Sequence, residues 1–170
     1  LLILEIIGQY LDLAPSTLRD ILQRALRLMA NWAADNGLAI NPAKTELVLF
    51  TRRYKVQIVE PISLGGIEIP FASCAKYIGL ILDSKLDFKL NIMDRAKKAT
   101  VALYTCKRTI GKRWGLKPRV VHWLYTTLVK LIIMYGVVVW WKALEMTTYC
   151  AILSKVQRMA SLCITGALRT

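Results

Sequence analysis

Few residue types in this chain lend themselves to chemistry. Histidine occurs once, at His122, and the four cysteines, Cys74, Cys106, Cys150 and Cys163, show no C-x-x-C spacing. A zinc site built from such residues needs close pairs or more histidines. The cysteines are therefore expected to be buried, reduced thiols of an intracellular protein. Asp83 and Asp87 lie between a short apolar run and a helical pattern. Acids there complement the positive end of a helix dipole, and no metal role is expected of them. Lys44 follows an Asn41-Pro42 turn and precedes a β-rich stretch. Taken by itself it reads as an exposed lysine that blunts a sheet edge.

The cations, by contrast, are concentrated. Net charge is +13. Residues 1–75 carry seven Lys+Arg and seven Asp+Glu, residues 76–119 twelve and three, and residues 120–170 five and one. A solvated helix face mixes signs, whereas a one-signed stretch is how a polyanion-binding surface shows itself in sequence. Lys97, Lys98, Lys107, Arg108, Lys112, Arg113, Lys117 and Arg119 are expected to hold phosphates without reading bases. Trp114, Trp123, Trp140 and Trp141 have flat faces on which bases can stack. Aromatics at such spacing more often build a core, and that is the expectation for these four.

Apolar residues make up 55% of the chain, above the roughly 45–50% of an ordinary soluble domain. The longest apolar run, Leu131 to Trp141, has 11 residues and contains Gly136. A spanning helix needs about 20, so no membrane partner is expected. No basic region precedes the apolar Leu1 to Ile7, which argues against a signal peptide. The first methionine is Met29, and both ends read as cut, so the chain is expected to be an internal piece of something longer.

The elements that must position these residues follow from periodicity. Leu1 to Ile7 reads as a buried strand. Thr17 is expected to cap a helix with Asp20 at the third helical position. Leu18, Ile21, Leu22, Ala25, Leu28, Met29 and Trp32 form its apolar stripe, and Asn36-Gly37 ends it. Thr45 to Phe50 predicts a strand, Ile62 to Ile69 a hairpin turning at Gly65-Gly66, and Tyr77 to Leu82 another strand. Beyond Asp87 only helices are expected. The first buries Ile92, Ala96, Ala99, Leu103 and Cys106 and stops at Gly111. The second starts at Pro118 and buries Val121, Leu124, Tyr125, Leu128 and Ile132. The third carries Ile152, Leu153, Val156, Met159, Ala160 and Cys163 and ends near Gly166. The fold class is α+β, with a helical bundle after a boundary near residue 88.

Several stretches are recognisable. Asp35-Asn36-Gly37-Leu38-Ala39-Ile40-Asn41-Pro42-Ala43-Lys44-Thr45-Glu46 resembles the fourth palm motif of non-LTR retrotransposon reverse transcriptases, jockey-like insect elements in particular. Lys76-Tyr77-Ile78-Gly79-Leu80-Ile81-Leu82-Asp83 looks like the primer grip that follows it. Trp114-Gly115-Leu116, Tyr135-Gly136, Trp140-Trp141 and Ile164-Thr165-Gly166-Ala167 are similar, in the same order, to pieces of the thumb. Two departures are small: Leu131 stands where a proline is common, and Ile78 where leucine is usual.

The resemblance implies that residues 1–88 are the end of a palm, a helix with short antiparallel strands, and that residues 89–170 are an all-α thumb. It implies an RNA-directed DNA polymerase acting on an RNA template, a DNA primer duplex and deoxynucleoside triphosphates, in the nucleus and cytoplasm. Lys44 becomes a candidate general acid near the incoming triphosphate, able to protonate the departing pyrophosphate. Tyr77, Ile78 and Gly79 become the primer grip, Gly79 because a residue without Cβ allows close approach of another backbone. Such polymerases use two Mg²⁺ ions held by an aspartate and an adjacent aspartate pair. No Asp-Asp pair occurs in this sequence, so metal ligands are not expected within it and the piece is expected to be inactive alone. The remaining palm, the fingers and an endonuclease would lie in the same polyprotein. The alternative is a non-catalytic nucleic-acid-binding remnant of a decayed element.

Overall fold

Helix α1 (Pro15–Asp35) begins two residues before the expected cap. Thr17 and Asp20 therefore sit inside the helix rather than at its boundary. The far end behaves as the Asn-Gly pair predicts. Gly37 is left-handed (φ 69°), its N–H donates to the Ala34 carbonyl at 3.0 Å, and the Leu38 N–H donates to Ala33 at 2.7 Å. These two bonds satisfy carbonyls that a helix end otherwise leaves open.

The chain is described here by a computed structural model that covers residues 15–51, 60–109 and 117–165. The expected strand Leu1 to Ile7 and the stops at Gly111 and Gly166 lie outside these residues. Contacts divide the chain into two compact units, Leu1–Leu86 and Asp87–Thr170.

In the first unit, α1 buries Leu18, Leu22, Leu26 and Ala33. Ile21, Leu28, Met29 and Trp32, expected in the same stripe, are exposed instead. The apolar arc of the helix is wider than the small sheets beneath it, and only the i, i+4 row starting at Leu18 reaches them. Leu26, fully buried, was not in the expected stripe at all.

The strands are short: β1 (Leu47–Val48), β2 (Ile62–Leu64), β3 (Ile67–Ile69), β4 (Phe71–Ala72), β5 (Cys74–Tyr77) and β6 (Leu80–Asp83). They form three two-stranded ladders, β1–β4, β2–β3 and β5–β6. Successive side chains of a strand point to opposite faces, so β1 serves two cores. Leu47 joins Leu18, Leu22, Leu26, Ile62 and Ile69, while Val48 joins Phe50 and Ala75. The expectation of antiparallel strands is corrected at β1, which pairs with β4 in parallel, Leu47 opposite Phe71. The β2–β3 hairpin sits in the connection between them, and it turns at Gly65-Gly66 (φ 58° and 81°) as expected. The strand expected from Thr45 to Phe50 is reduced to its middle, because Thr45 is held in the preceding turn. The Gln23 amide donates to the Ser63 carbonyl at 2.8 Å and accepts from the Ser63 N–H at 2.9 Å. A side-chain amide thus stands in for a neighbouring strand on β2, one way of covering a sheet edge.

The second unit is helical. Helix α2 (Lys89–Thr109) buries Ile92, Ala96, Ala99 and Leu103 as expected, together with Asn91 and Arg95, but the cysteines expected to be buried are not: Cys74, Cys106 and Cys163 are half-buried and Cys150 is exposed. Helix α2 packs against α4 (Lys130–Met134) and α6 (Thr147–Thr165). Helix α3 (Pro118–Leu124) starts with its proline in the first turn and runs through a π turn, Tyr125–Val129, into α4. The Lys130 N–H bonds the Tyr125 carbonyl, five residues back. Such a turn holds more residues than an α turn and rotates the downstream face. The buried set is accordingly Val121, Val129 and Ile133, and the expected Leu128 is exposed.

At Gly136 (φ 63°, ψ 20°) the chain breaks into α5 (Val137–Trp140), bent by 49°. An L-residue in that left-handed conformation costs about 1–2 kcal/mol. The Trp140 indole N–H donates to the Tyr135 carbonyl at 3.1 Å, and the Arg95 guanidinium lies 4.5 Å from the centre of the Tyr135 ring. The pairs Tyr135-Gly136 and Trp140-Trp141 are thus first of all the parts of a fixed corner. Helix α6 buries Tyr149, Leu153, Val156 and Ala160.

Candidate nucleic-acid interface

Lys44 is exposed, and its backbone is pinned. Residues Pro42–Lys44 form one 3-10 turn in which the Asn41 carboxamide oxygen accepts from the Ala43 N–H at 3.0 Å. The Asn41 carbonyl accepts both the Lys44 N–H at 3.1 Å and the Thr45 hydroxyl at 2.9 Å. Asn-Pro thus supplies an Asx turn and a fixed φ, and Lys44 extends from a rigid base. It lines an apolar pocket of about 480 Å³ together with Met29, Trp32, Leu38, Ile40 and Asn41.

Tyr77, Ile78 and Gly79 do not lie within one strand, nor in a bulge of a buried one. β5 and β6 pair antiparallel, with Tyr77 opposite Leu80, which leaves Ile78-Gly79 as a two-residue turn. Both are left-handed, at φ 44° and 76°, the geometry that matches the twist of flanking strands. Glycine takes it freely, but a β-branched residue with positive φ is strained. Ile78 is also 69% exposed. A strained, apolar side chain at the tip of a hairpin is a feature that packing alone does not require.

The basic run is exposed where the structure describes it. Lys97, Lys98, Lys107 and Arg108 are exposed on α2, and Lys117 and Arg119 at the start of α3. Lys112 and Arg113 lie outside the described residues. Lys98 is paired with Asp94 at 2.6 Å, one helical turn earlier, an exposed pair of modest worth. Among the tryptophans, Trp140 is buried, as expected of a core residue. Trp123 and Trp141 are exposed, against that expectation. Trp114 lies outside the described residues.

Comparison with known proteins identifies relatives. The chain is 24% identical over 144 residues to the retrovirus-related Pol polyprotein from type-1 retrotransposable element R1 of Bradysia coprophila, covering 85% of this chain and 14% of that protein. It is 24% identical over 143 residues to the R1 Pol polyprotein of Nasonia vitripennis, covering 79% and 41%. It is 27% identical over 119 residues to the Drosophila melanogaster protein named Probable RNA-directed DNA polymerase from transposon BS, covering 70% and 13%. The chain is related to the Pol polyproteins of non-LTR retrotransposons. No family model matches it, and no solved structure does.

The chain spans less than half the length of each of these proteins. Among its described residues no group of three or more His, Cys, Asp or Glu side chains converges. The described residues thus do not make a Mg²⁺ site. Reading charge by thirds of the chain missed its sharpest signal. From Arg95 to Leu144 there are eleven Lys and Arg and no Asp or Glu, so the acid-free region continues through α3, α4 and α5.

Proposed function

We propose that this chain is the end of the palm (residues 1–88) and the thumb (residues 89–170) of an RNA-directed DNA polymerase. Its substrates would be a primer duplexed with an RNA template and deoxynucleoside triphosphates, and its partners the other palm, finger and endonuclease regions of one polyprotein. The observation that carries this reading is the exposed, nearly acid-free cationic surface of the second unit, in a chain whose relatives bear the names of retrotransposon polymerases. Lys97, Lys107, Arg108, Lys117 and Arg119 bind duplex phosphates by charge, displacing counterions. Lys44, held by the Asn41 turn, gives a proton to the pyrophosphate oxygen as the bond to the transferred phosphorus breaks. The Ile78-Gly79 tip presses against the primer terminus and fixes its position. Mg²⁺, held by carboxylates outside this sequence, would stabilise charge on the attacking and leaving oxygens.

Two outcomes test this reading. The purified chain, given primer–template and Mg²⁺, should bind the duplex and extend no primer; extension free of contaminating polymerase would contradict it. In the polymerase, Ile78→Asn should relieve the left-handed strain and stabilise the fold by about 1 kcal/mol, while primer use becomes poorer. Asparagine tolerates the turn but gives up the apolar tip. A stabilised variant with unchanged primer use would leave Ile78 a strained turn residue and nothing more.

A further inference from the structure

The bent segment from α3 through α5 into the 3-10 turn Trp141–Glu145 carries features that the duplex-binding cations leave unused. Trp123 is 60% exposed, Tyr135 45% and Trp141 51%. One of these rings has an exposed cation beside it, Lys142 at Trp141, whereas the Arg95 that covers Tyr135 is buried. The Arg95 guanidinium lies 4.5 Å from the Tyr135 ring centre, and the Lys142 ammonium 5.9 Å from that of Trp141. Lys130 and Lys142 are exposed on the same segment, and no Asp or Glu occurs from Lys117 to Leu144. Nucleobases stack on such rings with little regard to sequence, and cations spaced among them take the backbone phosphates. Paired bases hide their faces in the duplex stack, so exposed rings favour an unpaired strand.

We infer that the segment from Val121 to Lys142 is a platform for single-stranded RNA, separate from the duplex-binding cations of α2 and the start of α3. The inference rests on the nucleic-acid reading above. A second copy of the chain is the poorer occupant, since two acid-free cationic faces repel. An anionic lipid surface fits the charge as well. Exposed rings with a cation at 5.9 Å answer to bases and phosphates more specifically than to acyl chains.

The test uses the 170-residue chain, an oligouridylate of about 16 nucleotides and a duplex of similar length. Trp123→Ala with Trp141→Ala should weaken oligouridylate binding about tenfold or more while duplex affinity stays within about twofold. The Phe pair at the same positions should restore most of the loss, since a phenyl ring still stacks. Both residues are exposed, and a thermal melt shows that the variants fold. Unchanged oligouridylate affinity overturns the inference. So does an equal loss on the duplex, which would merge the two surfaces. Displacement of the RNA by phosphatidylserine vesicles, lost in the Ala pair, would assign the surface to lipid and overturn it too. A dimer that the Ala pair dissolves would assign it to self-association. If the unaltered chain binds neither nucleic acid, the nucleic-acid reading itself fails along with this one.

Discussion

Replacing Lys44 by alanine in the polymerase that carries this segment should slow nucleotide addition about 10²-fold and leave primer–template affinity nearly unchanged. The separation follows from where the residue sits. Lys44 belongs to the first unit, on a rigid turn held by Asn41, whereas the duplex-binding cations belong to the second. Lys44→Arg keeps the charge but not the chemistry, because a guanidinium does not give up its proton in a protein. Arginine should therefore rescue triphosphate affinity better than it rescues rate. Single-turnover rapid quench measures both. An unchanged rate in Lys44→Ala would leave this side chain as a surface lysine that rims an apolar pocket.

The second large effect is on the grip on the duplex. Lys107 and Arg108 close α2 and are exposed, and Lys112 and Arg113 follow within a few residues of the chain. Changing all four to alanine should weaken duplex binding and flatten the plot of log K against log salt by roughly 2 to 4 units, at about 0.9 per phosphate released. Unrelated sequences should be affected equally, because phosphate contacts carry no base information. In the polymerase the same change should shorten products more than it slows a single addition. An unaltered slope in a folded variant would make this stretch a solvated surface.

Much of the fold was legible from local chemistry. Gly65-Gly66 and Asn36-Gly37 fixed a hairpin and a helix end, since only such residues take those backbone angles cheaply. The α2 face was readable because Ile92, Ala96, Ala99 and Leu103 recur on an unbroken helix. The face after Val121 was not, because the π turn at Tyr125–Val129 shifts the phase and leaves no mark in composition. The exposure of Ile21, Leu28 and Trp32 was hidden as well: an apolar arc tells that a helix can be covered, not how much of it is. At the site, the chemistry of Lys44 and of the basic run came from residue type and resemblance, whereas the hairpin at Ile78-Gly79 was read as strand. An isoleucine in a left-handed turn contradicts its own propensity, and no sequence rule anticipates it. Arg95, which lies outside the run expected to hold phosphates, is buried beside Tyr135. A long cationic side chain is buried only where a ring or acid receives it, and such a partner is set by tertiary packing.

Photo-crosslinking in the polymerase tests the assignment most directly. A primer ending in 4-thiothymidine, paired to RNA and irradiated in the complex, should attach to the peptide that contains Tyr77, Ile78 and Gly79. Thiolated positions further back in the duplex should attach instead to peptides of α2 and the start of α3, near Lys97, Lys107 or Arg119. Attachment of the primer terminus to the second unit, or of neither position to this chain while the complex extends primers normally, would contradict the account.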